Sequence, residues 1–380
     1  MNRHAPPDVR AQDGSSSPPA LEAGLGEALF GSLPRAEQRR KAGWYVRGLL
    51  AQPGRKTLRN IARQFGGGAA QQSVHHFITA SPWDWMPVRD ALAGHVHRTL
   101  APEAWVIRPT VIPKAGPHSI GADPQDRGVY GQQAVGMWLA GSRYAVPVDW
   151  RLRLSGRWLE EPLRQRAGIP PGASSGTLEE FLREAVADLG RFEGVPGGPV
   201  VVDAEGIDGS ALAGRLAAGG GRFLVRIHAD THLRLNRAKL PRFGDRDRTA
   251  GELAAALPRL RRRVDAAGGP ATVVVVPVAQ PRTRGRELLL VGEWLNGPAG
   301  SGLWLTNTDP AELSALVRLM RLPIVVARDF ADVSVRVGVT DFAGRSFPGW
   351  HRHITLASVA HQVAAAHARR VTEGDRTTVR

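Results

Sequence analysis

The stretch Trp105-Val-Ile-Arg-Pro-Thr-Val-Ile-Pro-Lys-Ala-Gly116 decides how this chain is read. Val106, Ile107, Thr110, Val111 and Ile112 are β-branched, and such side chains suit a pleated surface better than a helix. A strand from about Trp105 to Ile112 is predicted. At its centre stand Arg108, a permanent positive charge, and Pro109, which has no backbone N–H. No carboxylate lies anywhere on it.

Upstream, residues 1 to 25 are rich in Pro, Ser, Gly and Ala, with Ser15-Ser-Ser-Pro-Pro19 among them, and predict a disordered tail. Residues 26–100 read as helical. Pro34 to Leu50 gives one amphipathic helix, and Lys56 to Phe65 gives a second, stopped by Gly66-Gly-Gly68. A third is expected from Ser81 as N-cap and Pro82 as first helical residue to about Leu100, with Pro87 kinking or delaying it. Downstream, Ala134–Leu139 and Arg151–Leu154 are short strand candidates, Thr177–Leu189 is a helix, and Pro199-Val-Val-Val202 is a buried strand ending in Asp203. Arg222–Ile227, Thr272–Val278, Glu287–Val291 and Leu303–Thr306 add strands separated by basic loops, and helices follow at Leu313–Leu322 and Trp350–Arg370. A mixed α/β core occupying 101–220 and 309–370 is expected, with a β-rich insertion at 221–308 and a flexible tail at 371–380.

The 380 residues carry 50 Lys and Arg against 35 Asp and Glu, a formal charge of +15, which points to a polyanionic partner. Nearly all of that charge is arginine, since only Lys41, Lys56, Lys114 and Lys239 are lysines. Cysteine is absent, which excludes disulfides, thiolate metal sites and thiol nucleophiles. No apolar run approaches the ~20 residues of a membrane span, and no signal-peptide core opens the chain, so a cytoplasmic location with no membrane partner is expected. Between Arg35 and Arg63 nine basic residues face one acid, Glu37. Arg39, Arg40, Lys41 and Arg47 are interleaved with Trp44 and Tyr45, and Lys56, Arg59 and Arg63 fall at helical spacing. Such a face can grip DNA phosphates. Neither Gly66-Gly-Gly68 nor Gly219-Gly-Gly221 is followed by the Lys-Ser/Thr of a phosphate loop, so both read as turns.

Five motifs in order carry a resemblance. They are Ser81-Pro-Trp-Asp-Trp85; Thr110, Pro113, Lys114, Gly116, Ser119 and Gly121 after the first strand; Pro147-Val-Asp-Trp-Arg-Leu152 with Trp158 and Arg166-Ala-Gly-Ile-Pro170; Val201-Val-Asp-Ala204 with Asp208; and Gly344-Arg-Ser-Phe-Pro-Gly-Trp-His-Arg-His-Ile-Thr-Leu-Ala357. In these the chain resembles DDE transposases of the insertion-sequence 701 type, within the insertion-sequence 4-like group, over roughly residues 40 to 370. The resemblance implies an RNase H-like mixed-sheet core in which two Asp and one Glu hold paired Mg²⁺ ions for DNA cleavage and strand transfer. Cations roughly 3.5–4 Å apart need all three carboxylates to offset their repulsion.

Carried over position by position, the family's first Asp falls on Arg108, its following acid on Pro109, its second Asp on Asp203 and its Glu on Ala327. A family Lys falls on Ser334. Asp203 is the only retained catalytic position, left either paired with Arg108 or solvated. Asp123, Asp126, Glu205 and Asp208 are the acids that could be recruited, and no spacing favours them. Asp329, two residues after Ala327, should face elsewhere on a helix, and Asp332, five residues after it, points partly off that face. The resulting expectation is a transposase-derived, catalytically inactive DNA-binding protein without a cofactor or small-molecule substrate. It would grip double-stranded DNA through Arg39, Arg40, Lys41, Arg47, Lys56, Arg59, Arg63 and Lys114, with a second copy of the chain as an optional partner. The alternatives are a working transposase with relocated ligands, and an interaction scaffold or relic that no longer binds DNA. His351 and His353 lack acidic or Cys company and read as structural.

Overall fold

The computed structural model describes residues 19–65, 68–236, 239–240, 248–256, 258–266, 269–279, 287–293 and 302–378. The tail reading for residues 1–18, and Arg237 and Arg242 in the basic loops expected between the later strands, lie outside the described residues. The chain opens with helices α1 (Ala23–Phe30), α2 (Ala36–Ala51), α3 (Leu58–Arg63), α4 (Gly68–Thr79) and α5 (Met86–Leu100). There follow β1 (Ala104–Lys114), β2 (Ala122–Pro124), β3 (Tyr130–Ala140), β4 (Ala145–Arg153), α6 (Gly156–Leu159), α7 (Leu163–Ala167), α8 (Leu178–Ala187), β5 (Val200–Val202), α9 (Gly209–Gly219) and β6 (Phe223–Ile227). The third stretch holds β7 (His232–Leu235), β8 (Arg248–Thr249), α10 (Ala250–Ala256), β9 (Arg261–Ala266), β10 (Gly269–Ala279), β11 (Leu288–Glu293) and β12 (Leu303–Thr306), and α11 (Leu313–Asp329) and α12 (Phe347–Thr378) close the chain.

This is a mixed α/β protein with one large mixed sheet. Its central order is β4-β3-β1-β5-β6-β12-β11-β10. β1, β3 and β4 run antiparallel, β5 and β6 are parallel to β1, and antiparallel pairing resumes from β6 to β10. Parallel neighbours need a crossover, and α9 supplies it between β5 and β6. Asp208 caps α9 by accepting from the Ala211 N–H at 2.9 Å. Gly209 lets the helix start against β6, because a Cβ there would stand 2.5 Å from the Arg226 carbonyl oxygen.

Four boundaries differ from the sequence expectations. The strand Phe223–Ile227 pairs directly with β5 of the core, and the strands of the stretch read as a β-rich insertion extend the same sheet. Arg261, Arg262 and Arg263 sit on β9, paired with β10, where a basic loop was expected. The fifth helix begins at Met86 with Trp85 as its N-cap, not at Ser81. Residues 81–84 stay outside it because Trp83 is buried, donating to the Phe77 carbonyl at 2.9 Å and stacking on Phe77, while Ser81 accepts from Gln38 at 3.2 Å. Pro87 sits in the first turn, where no N–H is required. Finally, helix occupies both presumed tails in part: α1 begins at Ala23 and α12 runs to Thr378.

The helical head is joined to the sheet by α12, which packs on α2, α4, α5 and β4. At the centre of that seam Arg89 of α5 is almost wholly buried. It is paired with Asp149 of β4, and it donates to the Trp150 carbonyl at 2.9 Å and to the Thr355 hydroxyl at 2.7 Å. His351 lies 3.1 Å from the same guanidinium and stacks on Trp85 at 4.7 Å. Arg191 binds the second oxygen of Asp149 at 2.9 Å. Arg352 donates to the carbonyls of Ile78 and Trp83 at 3.2 and 3.1 Å, and Tyr45 meets His353 at 2.8 Å. Each buried charge here is paired or hydrogen-bonded, as burial demands.

Candidate active site

Strand register builds the site. Ile107 of β1 lies opposite Val202 of β5, and Val202 lies opposite Val225 of β6. One residue further along three adjacent parallel strands stand Arg108, Asp203 and Arg226, and the Asp203 N–H donates to the Ile107 carbonyl at 3.0 Å. Successive strand residues alternate faces while cross-strand neighbours share one, so the three side chains form a row. Arg226 donates to one oxygen of Asp203 at 2.7 Å, and Arg108 approaches the other at 3.6 Å. Asp203 itself is only 6% exposed. Arg226 also lies over the Trp304 ring of β12, 5.7 Å from its centroid.

The third position lies on α11. That helix extends past the predicted Leu322 to Asp329 although it contains Pro323, Val325 and Val326. The buried side chains of Pro323, Val325 and Val326 let packing override weak helical propensity. A wider π-type turn over Phe330–Ser334, which includes Val333, then ends the helical stretch. Arg108 donates to the Pro323 carbonyl at 3.2 Å. Ala327, four residues on, shares that helix face and brings no acid to it.

The other acids are engaged elsewhere or turned outward. Asp329 is buried and accepts from the Ala145 N–H at 2.7 Å and from Arg328 at 2.8 Å, facing β4. Asp123 pairs with Arg157 at 2.7 Å, and Asp208 caps α9. Asp126 and Asp332 are exposed. Glu205 alone joins Asp203 in lining the cleft beside Arg108, Arg153 and Arg226. Among the described residues no group of three or more His, Cys, Asp or Glu could hold a metal ion. Paired divalent cations need several anionic oxygens, so the side chains present do not fit them.

The pattern of the DDE superfamily endonucleases matches residues 28–292. The chain belongs to that family. The matched span includes Arg108 and Asp203 of this DDE superfamily member and stops before α11. Among solved structures, a piggyBac transposase synaptic complex with hairpin DNA, determined by cryo-electron microscopy, is similar at 13% identity and a TM-score of 0.43, covering 88% of this chain. The chain spans 66% of the length of that protein. No curated protein matches the chain. Among the described residues no helix is long and apolar enough to cross a membrane.

The basic head resolves into engaged and open groups. Gly48 allows α2 and α3 to approach, since a Cβ there would meet Ile61 at 2.6 Å. Trp44 stacks on Phe65 at 5.8 Å, and Arg40 lies over Trp44 at 5.2 Å. Arg40, Trp44 and Arg47 follow one stripe of α2, while Arg59 and Arg63 follow one stripe of α3, and all four arginines are exposed. Arg39 donates to the Leu33 carbonyl at 2.6 Å, and Lys41 pairs with Glu37 at 2.6 Å, so both are partly spent.

Two of the lysines expected to face DNA are engaged within the chain. Lys56 is buried and donates to the Gln52 carbonyl, its own N–H being bound by Asp341 at 2.6 Å. Lys114 donates to the carbonyls of Thr340 and Phe342 at 2.7 and 2.8 Å, and burial pulls its amine down to about 8. Both lysines fasten the segment after α11 to the head and to β1. Arg226 and Arg153 were absent from the sequence-derived site, and the signal for Arg226 was the parallel match of Val200–Val202 with Phe223–Val225.

Proposed function

We propose that the chain is a transposase-derived DNA-binding protein of the insertion-sequence 701 type that does not cut DNA. The observation carrying this reading is the row Arg108–Asp203–Arg226, in which the one remaining carboxylate lies between two guanidiniums at 3.6 and 2.7 Å. Two fixed positive charges at that place repel the dications the family chemistry needs. Ala327 supplies nothing on the facing helix. The RNase H-like reading of the core is supported by the antiparallel trio β4-β3-β1 continued by parallel β5 and β6. DNA binding is supported by the net charge of +15 and by the exposed arginines at 40, 47, 59 and 63.

Incubation of supercoiled plasmid with the full chain and Mg²⁺ or Mn²⁺, beside an Asp203→Ala control, tests the catalytic half. Equal background nicking by both proteins is expected. A duplex mobility shift across a salt series tests the other half. Affinity that falls with salt is expected, and affinity indifferent to salt contradicts the proposal.

A further inference from the structure

The row of charges opens into a cleft of about 320 Å³, at the small end of ligand pockets. It lies at the C-terminal end of β5, alongside the middle of β1 just past the point where the two strands pair, the end of a parallel pair where open α/β sheets place ligands. Its charged lining is three arginines, Arg108, Arg153 and Arg226, against two acids, Asp203 and Glu205. Asp203 is consumed by Arg108 and Arg226, and Glu205 is exposed to water. The interior is therefore cationic where the family chemistry calls for anionic groups.

The guanidiniums are also held in place. Arg108 is tied to the Pro323 carbonyl, Arg153 to the Gly176 carbonyl at 3.0 Å and to Gln133, and Arg226 to Asp203. Each guanidinium has five donors, and these bonds leave several on each unused. Side-chain exposures of 35% for Arg108 and 32% for Arg226 leave those donors reachable. Fixed forks with free donors match phosphate oxygens, because little side-chain entropy remains to be lost on binding. Val111 and Leu178 add an apolar wall beside them, wide enough to meet the body to which a phosphoryl group is attached.

We propose that this cleft binds a phosphoryl group directly, through Arg108, Arg153 and Arg226 and without a divalent cation. The inference rests on the reading of a metal site that has lost its ligands. The phosphoryl group comes either from the end of a DNA strand or from free phosphate.

The test titrates the full chain with inorganic phosphate in EDTA by calorimetry, and in parallel measures affinity for a duplex bearing 5′-phosphates or 5′-hydroxyls. Saturable phosphate binding that EDTA does not diminish is expected. Arg108→Ala should weaken it about tenfold, the scale of one charge-assisted hydrogen bond, and Arg153→Ala offers the same reading should the first variant fold poorly. Tighter binding of the 5′-phosphorylated duplex, abolished by Arg108→Ala, assigns the DNA end. Equal affinity for both duplexes together with phosphate binding assigns the free anion. Absence of phosphate binding and of any 5′-phosphate preference overturns the inference, as does binding that requires Mg²⁺ or survives both substitutions. If salt-sensitive duplex binding persists in that case, the DNA-binding proposal stands and only the cleft assignment falls.

Discussion

The seam between head and sheet and the cleft beside β1 and at the ends of β5 and β6 are built from the same residue types and behave oppositely. In the seam, Arg89 meets Asp149, Trp150, Thr355 and His351, and Arg191 completes Asp149. Asp149, Trp150, His351 and Thr355 come from Pro147–Leu152 and Gly344–Ala357, two of the stretches that carry the resemblance, whereas Arg89 and Arg191 lie outside them. In the cleft, Arg108 and Arg226 share the buried Asp203 carboxylate while Arg153 is held by Gly176 and Gln133, and on the proposed reading the family pattern departs at Arg108 and Ala327. On the proposed reading, motif matches and chemistry have come apart: the preserved motifs help hold the scaffold together, and the departures fall where the reaction would occur. A buried ion pair broken in the seam costs folding, whereas a charge changed at the half-open cleft is partly relieved by water. Substitutions can therefore accumulate in the cleft without unfolding the protein.

Acid should separate the two regions most strongly. His353 and His361 are buried in or beside the seam, and burial pushes both down to about 4. Folded, they stay neutral below the ordinary value near 6.5, while the unfolded chain takes up their protons. Stability is therefore lost as pH falls from about 6.5 toward 4, by roughly 3 kcal/mol per histidine. Urea midpoints measured across that range should drop steeply, and a flat profile would remove the seam's claim to be a closed, unprotonated interior. Next in size, Arg89→Ala leaves Asp149 buried with only Arg191, and should cost about 3–5 kcal/mol by chemical denaturation.

Replacing Arg40, Arg47, Arg59 and Arg63 by Ala should leave the fold intact and lower the slope of log affinity against log salt by about 0.9 for each phosphate no longer neutralised. An unchanged slope would move the DNA-binding face elsewhere on the molecule. The smallest effect is expected for Arg108→Ala, which should change stability by no more than about 1 kcal/mol because its side chain is 35% exposed. A destabilisation as large as that of Arg89→Ala would erase the distinction between the regions.

Much of the scaffold was legible from local pattern. β1, β5 and β10 announce themselves through β-branched runs, β11 and β12 through short apolar runs, and α8 through a Thr177 cap with Glu180 reciprocating. The positions of Arg108, Asp203 and Ala327 followed from motif alignment, and the Arg108–Asp203 pair was one of two open alternatives. Arg226 was hidden because its strand was assigned to an insertion, and only parallel register with β5 brings it beside Asp203. Lys56 and Lys114 looked like phosphate ligands because helical spacing and motif position say nothing about residues 340–342, which arrive from the far end of the chain to cover them. The late start of α5 has the same origin, since the burial of Trp83 outweighs the capping signal at Ser81.

The most direct test is metal binding at the row itself. Titration of Mg²⁺ or Mn²⁺ into the full chain, followed by calorimetry and by thermal midpoint, should give neither saturable heat nor a shift for the natural sequence or for Asp203→Ala. A saturable Mn²⁺ site that disappears with Asp203→Ala, accompanied by metal-dependent nicking, would contradict the account.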